Sequence, residues 1–259
     1  MNEKQALVFA QHLADITRPI ALRYFRTVQE VTLKADKSPV TAADRKIESV
    51  LRRLIHEQYP NHGVIGEEYE RTPAKTYRWI LDPIDGTKSF VMGNPLFGTL
   101  IGLLREDGPV AGLIDLPALG ERWTGDGRYT AFNDGANARA ALVSNCNSIG
   151  QARLYATPPG SAHTDERCRI HALIEQVSIT MPVCDCYAYG LLASGHCDLV
   201  VETGLEPYDY LPLVPVIEGA GGCLTDWKGN PLGLNSNGRV VAAGSRPLLD
   251  AAVRVLGSS

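Results

Sequence analysis

Trp79-Ile80-Leu81-Asp82-Pro83-Ile84-Asp85-Gly86-Thr87 passes from an apolar opening into two carboxylates, a glycine and a hydroxyl. The opening reads as a buried strand. Asp is a poor strand residue and Pro cannot donate to a sheet ladder, so the strand is expected to end near Asp82. Both acids then stand at its carboxyl end, where open α/β sheets hold their ligands. Two acids three apart, with Pro83 fixing the turn, can share one site and hold a hard cation. Taken alone, Asp-x-x-Asp reads equally well as a loop with solvated acids.

A chain of 259 residues with 44% apolar content can bury a large core, as one domain or two intimate halves. It has no apolar run long enough for a membrane span, and Met1 to Gln11 lacks a signal-peptide core. The net charge of −4 gives no basic footprint for nucleic acid. Six cysteines form no Cys-x-x-Cys and show no zinc spacing, so they read as reduced thiols of a cytoplasmic protein. Cys184 and Cys186 flank Asp185, but adjacent alternating strand positions point apart, which argues against a redox pair.

Leu7, Ala10, Leu13 and Ile16 predict a helix over about 4–25, kinked or interrupted at Pro19. Ile47, Val50, Leu51, Leu54 and Ile55 predict a second, opened by Thr41-x-x-Asp44 as a capping box. Strands follow over 79–82, 99–104, 110–116 and 122–124, with Asp107-Gly108 as a hairpin turn. The stretch 136–148 reads as a joint, dividing the chain into residues 1–135 and 136–259. Beyond it come strands at 153–157, 177–181, 198–202 and 240–243. The helices there are expected over 165–176, 187–194, 208–219 and 247–256.

Two further segments bear on the central one. Gly66-Glu67-Glu68 follows Val64-Ile65, and Glu206-Pro207-Tyr208-Asp209 precedes an apolar stretch ending in Gly219-Ala220-Gly221-Gly222. Together the three resemble the inositol monophosphatase superfamily of magnesium-dependent, lithium-sensitive phosphatases. That superfamily carries these motifs in this order, and the resemblance runs from Thr41 to about Gly244. The extension Lys88-Ser89-Phe90 and the stretch from Gly93 to Gly102 look like its histidinol-phosphate phosphatase branch. The resemblance implies an α/β (α+β layered) fold, an αβαβα sandwich whose halves meet at the active site.

Glu67, Asp82, Asp85 and Asp209 form an all-oxygen set without matching His or Cys, which selects hard cations such as Mg²⁺. By resemblance, Glu67, Asp82 and the Ile84 carbonyl hold a first ion, and Asp82, Asp85 and Asp209 a second. A third would be held weakly through water, and Mn²⁺ is the alternative ion. Glu68 is expected in a salt bridge or in solvent. Asp44 has two competing roles, capping its helix or orienting Thr87, and the second is preferred here. Lys37 reads either as a basic residue on a mobile loop or as an ordinary exposed lysine. Gly86 and Thr87 are expected to bind phosphate at a helix or turn opening.

The implied chemistry is direct displacement by a metal-activated water, positioned by Glu67, Thr87 and Asp44. In the family's register Glu202 and Asp185 face the substrate's alcohol portion. Asp185 stands where inositol-type members carry a small apolar residue; its alternative is to cap the helix that follows. A carboxylate suits the ammonium and imidazole of histidinol phosphate better than it suits inositol. The expectation is therefore a histidinol-phosphate phosphatase of histidine biosynthesis, a homodimer acting on a small phosphorylated metabolite. The alternatives are an inositol or broad sugar-phosphate monophosphatase, and an inactive regulatory binding module.

Overall fold

The computed structural model describes residues 2–27, 32–33, 39–106, 108–158 and 164–257. Lys37 and Asp107 lie outside the described residues. Five layers stack in the order helix, sheet, helix, sheet, helix. The outer helical layer is α1 (Glu3–Tyr24) and α2 (Ala42–Gln58). Pro19 does not interrupt α1, which continues through it. Thr41 and Asp44 form the expected capping box of α2. A two-stranded ribbon, β1 (Thr32–Leu33) with β2 (Pro39–Val40), precedes α2.

The large sheet runs in sequence order through β3 (Gly63–Gly66), β4 (Tyr77–Asp85), β5 (Gly98–Arg105), β6 (Gly108–Leu116), β7 (Glu121–Gly125), β8 (Thr130–Asn133) and β9 (Ala138–Ala140). β3 and β4 are parallel and the rest antiparallel. Side chains alternate between its two covered faces. Trp79, Leu81, Ile101 and Leu103 face α1 and α2, while Ile80, Leu100, Leu104 and Ile114 face the central helices. This double burial is why the strands read as unbroken apolar runs.

The central layer holds α5 (Cys186–Ala193), α6 (Pro207–Tyr210) and α7 (Leu213–Gly219). One helix was expected over 208–219. Pro212 has no N–H to bond back into a preceding turn, and the chain re-enters a helix only after it. α7 lies directly on the large sheet along Gly102, Gly112 and Gly125, which pair across three strands. A Cβ at Gly102 would stand 3.1 Å from Pro212 Cα; one at Gly112 or Gly125 would collide with the Pro212 or Pro215 carbonyl.

Beyond lies the second sheet, ordered β11 (Ile179–Pro182), β10 (Arg153–Ala156), β12 (Leu199–Glu202), β14 (Val240–Ala243), β13 (Cys223–Asp226). Its outer face carries α4 (Thr164–Ile174) and α8 (Arg246–Gly257), packed through Leu154, Leu199, Val241, Ile170 and Leu249. No helix among the described residues is long and apolar enough to cross a membrane.

Candidate active site

β4 does not end at Asp82. It continues through Pro83 to Asp85, with a bulge. Asp82 pairs with Leu100 and Asp85 with Gly98, so three steps on β4 face two on β5. In a regular strand, residues three apart point to opposite faces. The extra residue cancels that and sends both acids into one cleft. Thr99 Oγ1 donates to the Pro83 carbonyl at 2.9 Å and pins the bulge.

The cleft has a volume of about 220 Å³ and is lined by Glu67, Asp82, Ile84, Asp85, Gly86, Thr87, Lys88, Asp185 and Asp209. Asp82, Asp85 and Asp209 each offer an oxygen within 4.8 Å of the others. Asp82 is buried and the other two are half-buried. Each is oriented by an amide. Ile84 N donates to Asp82 at 3.0 Å, Cys186 N to Asp85 at 2.6 Å and Glu206 N to Asp209 at 2.8 Å. Asp209 is also the capping-box acid of α6, so one short helix sets its direction.

Desolvation pushes the Asp82 carboxyl well above its usual range, and Glu67, Asp85 and Asp209 push it further. Asp85 is raised by desolvation, then by Asp185 and Asp209. Asp209 rises to about 7, mainly through desolvation, with Glu67 adding repulsion. An oxygen-only set that repels itself in this way fits a hard divalent cation, which would restore all three to the ionised form.

Thr87 Oγ1 donates to the Ile84 carbonyl at 3.0 Å and lies 3.5 Å from Asp44 Oδ1. Asp44 Oδ2 accepts from the Thr41 amide at 2.8 Å and the Thr41 hydroxyl at 2.6 Å. The two expected roles of Asp44 therefore do not compete; each oxygen faces one of them. Gly86, at φ 80°, precedes α3 (Thr87–Val91).

Asp185 lines the cleft but makes no side-chain cap bond to α5, so the capping alternative does not hold. Its Oδ2 accepts from Ser89 Oγ at 2.9 Å, and its backbone is strained, at φ 50°. The carboxylate presses on Gly86, where a Cβ would stand 2.5 Å from Oδ2. Glu202 is not among the cleft residues. It is buried behind them on β12, and desolvation, then Asp85, hold its carboxyl well above the usual range. It faces Tyr189, which is close enough to affect its protonation although no bond of hydrogen-bond geometry joins them.

Sequence reasoning missed Ser89, the Cys186 amide and Glu48. Glu48 left a signal, as a charged residue one turn beyond Asp44 among the buried Ile47, Leu51 and Ile55 of α2. The Glu68 amide donates to Glu48 Oε2 at 2.7 Å.

The inositol monophosphatase family model matches residues 2–257. The chain belongs to that family. A bifunctional phosphatase of Arabidopsis thaliana, IMPL2, is 45% identical over 84% of this chain, which spans only 63% of that protein. A histidinol-phosphatase of Chlorobaculum parvum is 35% identical, with 91% of each chain covered. The solved inositol monophosphatase of Zymomonas mobilis superposes with a TM-score of 0.89 over 100% of both chains, at 38% identity. The family member described here is a phosphatase, and its layered α/β architecture is that of its structural relatives.

Proposed function

We propose that this phosphatase hydrolyses histidinol phosphate to histidinol and phosphate, and serves histidine biosynthesis. The observation that carries the substrate is Asp185, a carboxylate fixed in the cleft wall beside the acidic cluster by Ser89. A substrate that brings its own cation gains from it. The name of the Chlorobaculum relative supports the same reading.

Glu67, Asp82, Asp85, Asp209 and the Ile84 carbonyl would hold Mg²⁺, two ions and a weaker third, with Mn²⁺ as the alternative. When bound, the cation supplies positive charge against the phosphoryl and leaving oxygens and makes water acidic. Thr87 Oγ1 lies 3.5 Å from Asp44 Oδ1, so a hydroxyl turned from the Ile84 carbonyl to that carboxylate can give its proton to Asp44 as it takes one from attacking water. Glu67 orients that water from the opposite motif. Gly86 lets the phosphate approach the backbone, with Thr87 beside it. Asp185 meets the ammonium or imidazolium of the leaving alcohol. Glu202, buried behind the cleft, does not line it, so the substrate contact falls to Asp185 alone. A homodimer in the cytoplasm belongs to the same proposal.

The Asp185→Asn variant tests the substrate. Its kcat/KM on histidinol phosphate should fall about tenfold to a hundredfold, the worth of one charge-assisted contact of about 1.5–3 kcal/mol. The loss on a generic aryl phosphate should be far smaller. Equal losses on both would make Asp185 a structural residue. No loss on either would favour the inositol or sugar-phosphate reading, which the Zymomonas mobilis relative supports.

A further inference from the structure

Glu48 is a carboxylate with 0% exposure on the inward face of α2. Such a group is costly unless partnered. Its Oε1 accepts from Arg52 Nε at 2.7 Å and its Oε2 from the Glu68 amide at 2.7 Å. Arg52 reaches on to the Tyr69 carbonyl at 3.0 Å, so the pair grips the segment that leaves β3. Gly66 pairs with Leu81 at the end of the β3–β4 ladder, and the residues that follow them, Glu67 and Asp82, both line the cleft.

Gly66 has no positive φ, so alanine would suit its backbone. Glu48 is what excludes a side chain there. A Cβ on Gly66 would stand 2.5 Å from Glu48 Cδ and closer still to Oε1. The glycine of Gly66-Glu67-Glu68 thus makes room for a carboxylate arriving from another element.

We infer that Glu48 is a positioning residue for Glu67: it packs on the residue before Glu67, holds the amide of the residue after it, and so directs the side chain between them into the cleft. This rests on the reading that Glu67 holds the cation. Glu48 touches neither the cleft nor, on that reading, the ion. It acts through the two peptide units around Glu67, as outer partners of metal ligands do.

The test is Mg²⁺ affinity measured by calorimetry on the whole chain, with melting in chelator as a check of folding. Glu67→Gln and Glu48→Gln should each weaken binding by about tenfold or more. Gly66→Ala should weaken it in the native background but add little on top of Glu48→Ala, where the methyl has room. If Glu67→Gln weakens binding while Glu48→Gln and Gly66→Ala bind as the native chain does, the positioning role is overturned. The same holds if Gly66→Ala costs as much with Glu48 removed as with it present. If Glu67→Gln itself binds normally, the ligand reading of Glu67 fails instead. Gly66→Ala removes neither Glu48 nor Arg52 and pushes on the carboxylate only through the added methyl, so the single variant still reads the contact where Glu48→Gln does not fold.

Discussion

Asp82, Asp85 and Asp209 are held together against their own repulsion by the Ile84, Cys186 and Glu206 amides. Removing one charge should relieve the metal-free protein and disable the enzyme at once. Asp85→Asn should melt higher than the native chain in chelator, by a few degrees at about 2–4 °C per kcal/mol for a chain this size. Its turnover at saturating Mg²⁺ should nevertheless be lost; near-native turnover would contradict the site. Ser89→Ala frees the Asp185 carboxylate, so it should raise KM for histidinol phosphate more than for an aryl phosphate. An equal rise for both would separate Ser89 from substrate choice. The oxygen character of the set was legible in the sequence, but its convergence was implied only by the family resemblance, since spacing does not bring Asp209 to Asp82 and Asp85. Glu202 was not legible, because its place behind the cleft depends on Tyr189 and α5, which spacing along β12 does not reveal.

Among elements, β4 shows how a rule fails usefully. The two acids argued for a strand end at Asp82, yet the strand runs on, because Thr99 on β5 accepts the bulge that brings Asp85 round. That depends on a partner strand, and no local propensity reports it. The glycine stripe on β5, β6 and β7 was equally hidden. Gly102, Gly112 and Gly125 matter only once the register aligns them under Pro212 and Pro215. Gly112→Ala should force α7 off the sheet, costing about 1–3 kcal/mol by overpacking, and should lower activity because α6 carries Asp209. A variant with native melting temperature and native turnover would show that α7 does not seat Asp209 in this way. Helix starts were legible, since the capping box of α2 is local.

Over the whole molecule, the raised carboxyls couple stability to pH. Desolvation and mutual repulsion lift Asp82, Asp85 and Asp209 above the unfolded range, Asp209 to about 7. Between the ordinary carboxylate range and about 7, the folded metal-free chain binds protons that the unfolded chain has lost. Its stability from these groups is therefore full at low pH and falls as pH rises. In chelator the melting temperature should be higher at about pH 5 than at about pH 8, and Mg²⁺ should add more at the higher pH. The opposite order in chelator would mean that the three acids are not desolvated together. The layered fold itself was legible through the family resemblance that the motifs carry, and the apolar runs gave only the separate elements. Which residues the layers bring face to face was not.

The proposed enzyme is a cation-dependent phosphatase whose cleft selects a cationic leaving alcohol. Consumption of each substrate from an equimolar mixture of histidinol phosphate and inositol 1-phosphate, with Mg²⁺ and again with chelator, puts both properties to the test. Histidinol phosphate should be consumed first, with kcat/KM favoured by about tenfold or more, as one charge-assisted contact allows, and chelator should stop both reactions. Preferential hydrolysis of inositol 1-phosphate, release that chelator leaves untouched, or no release from either substrate in Mg²⁺ would contradict the proposal.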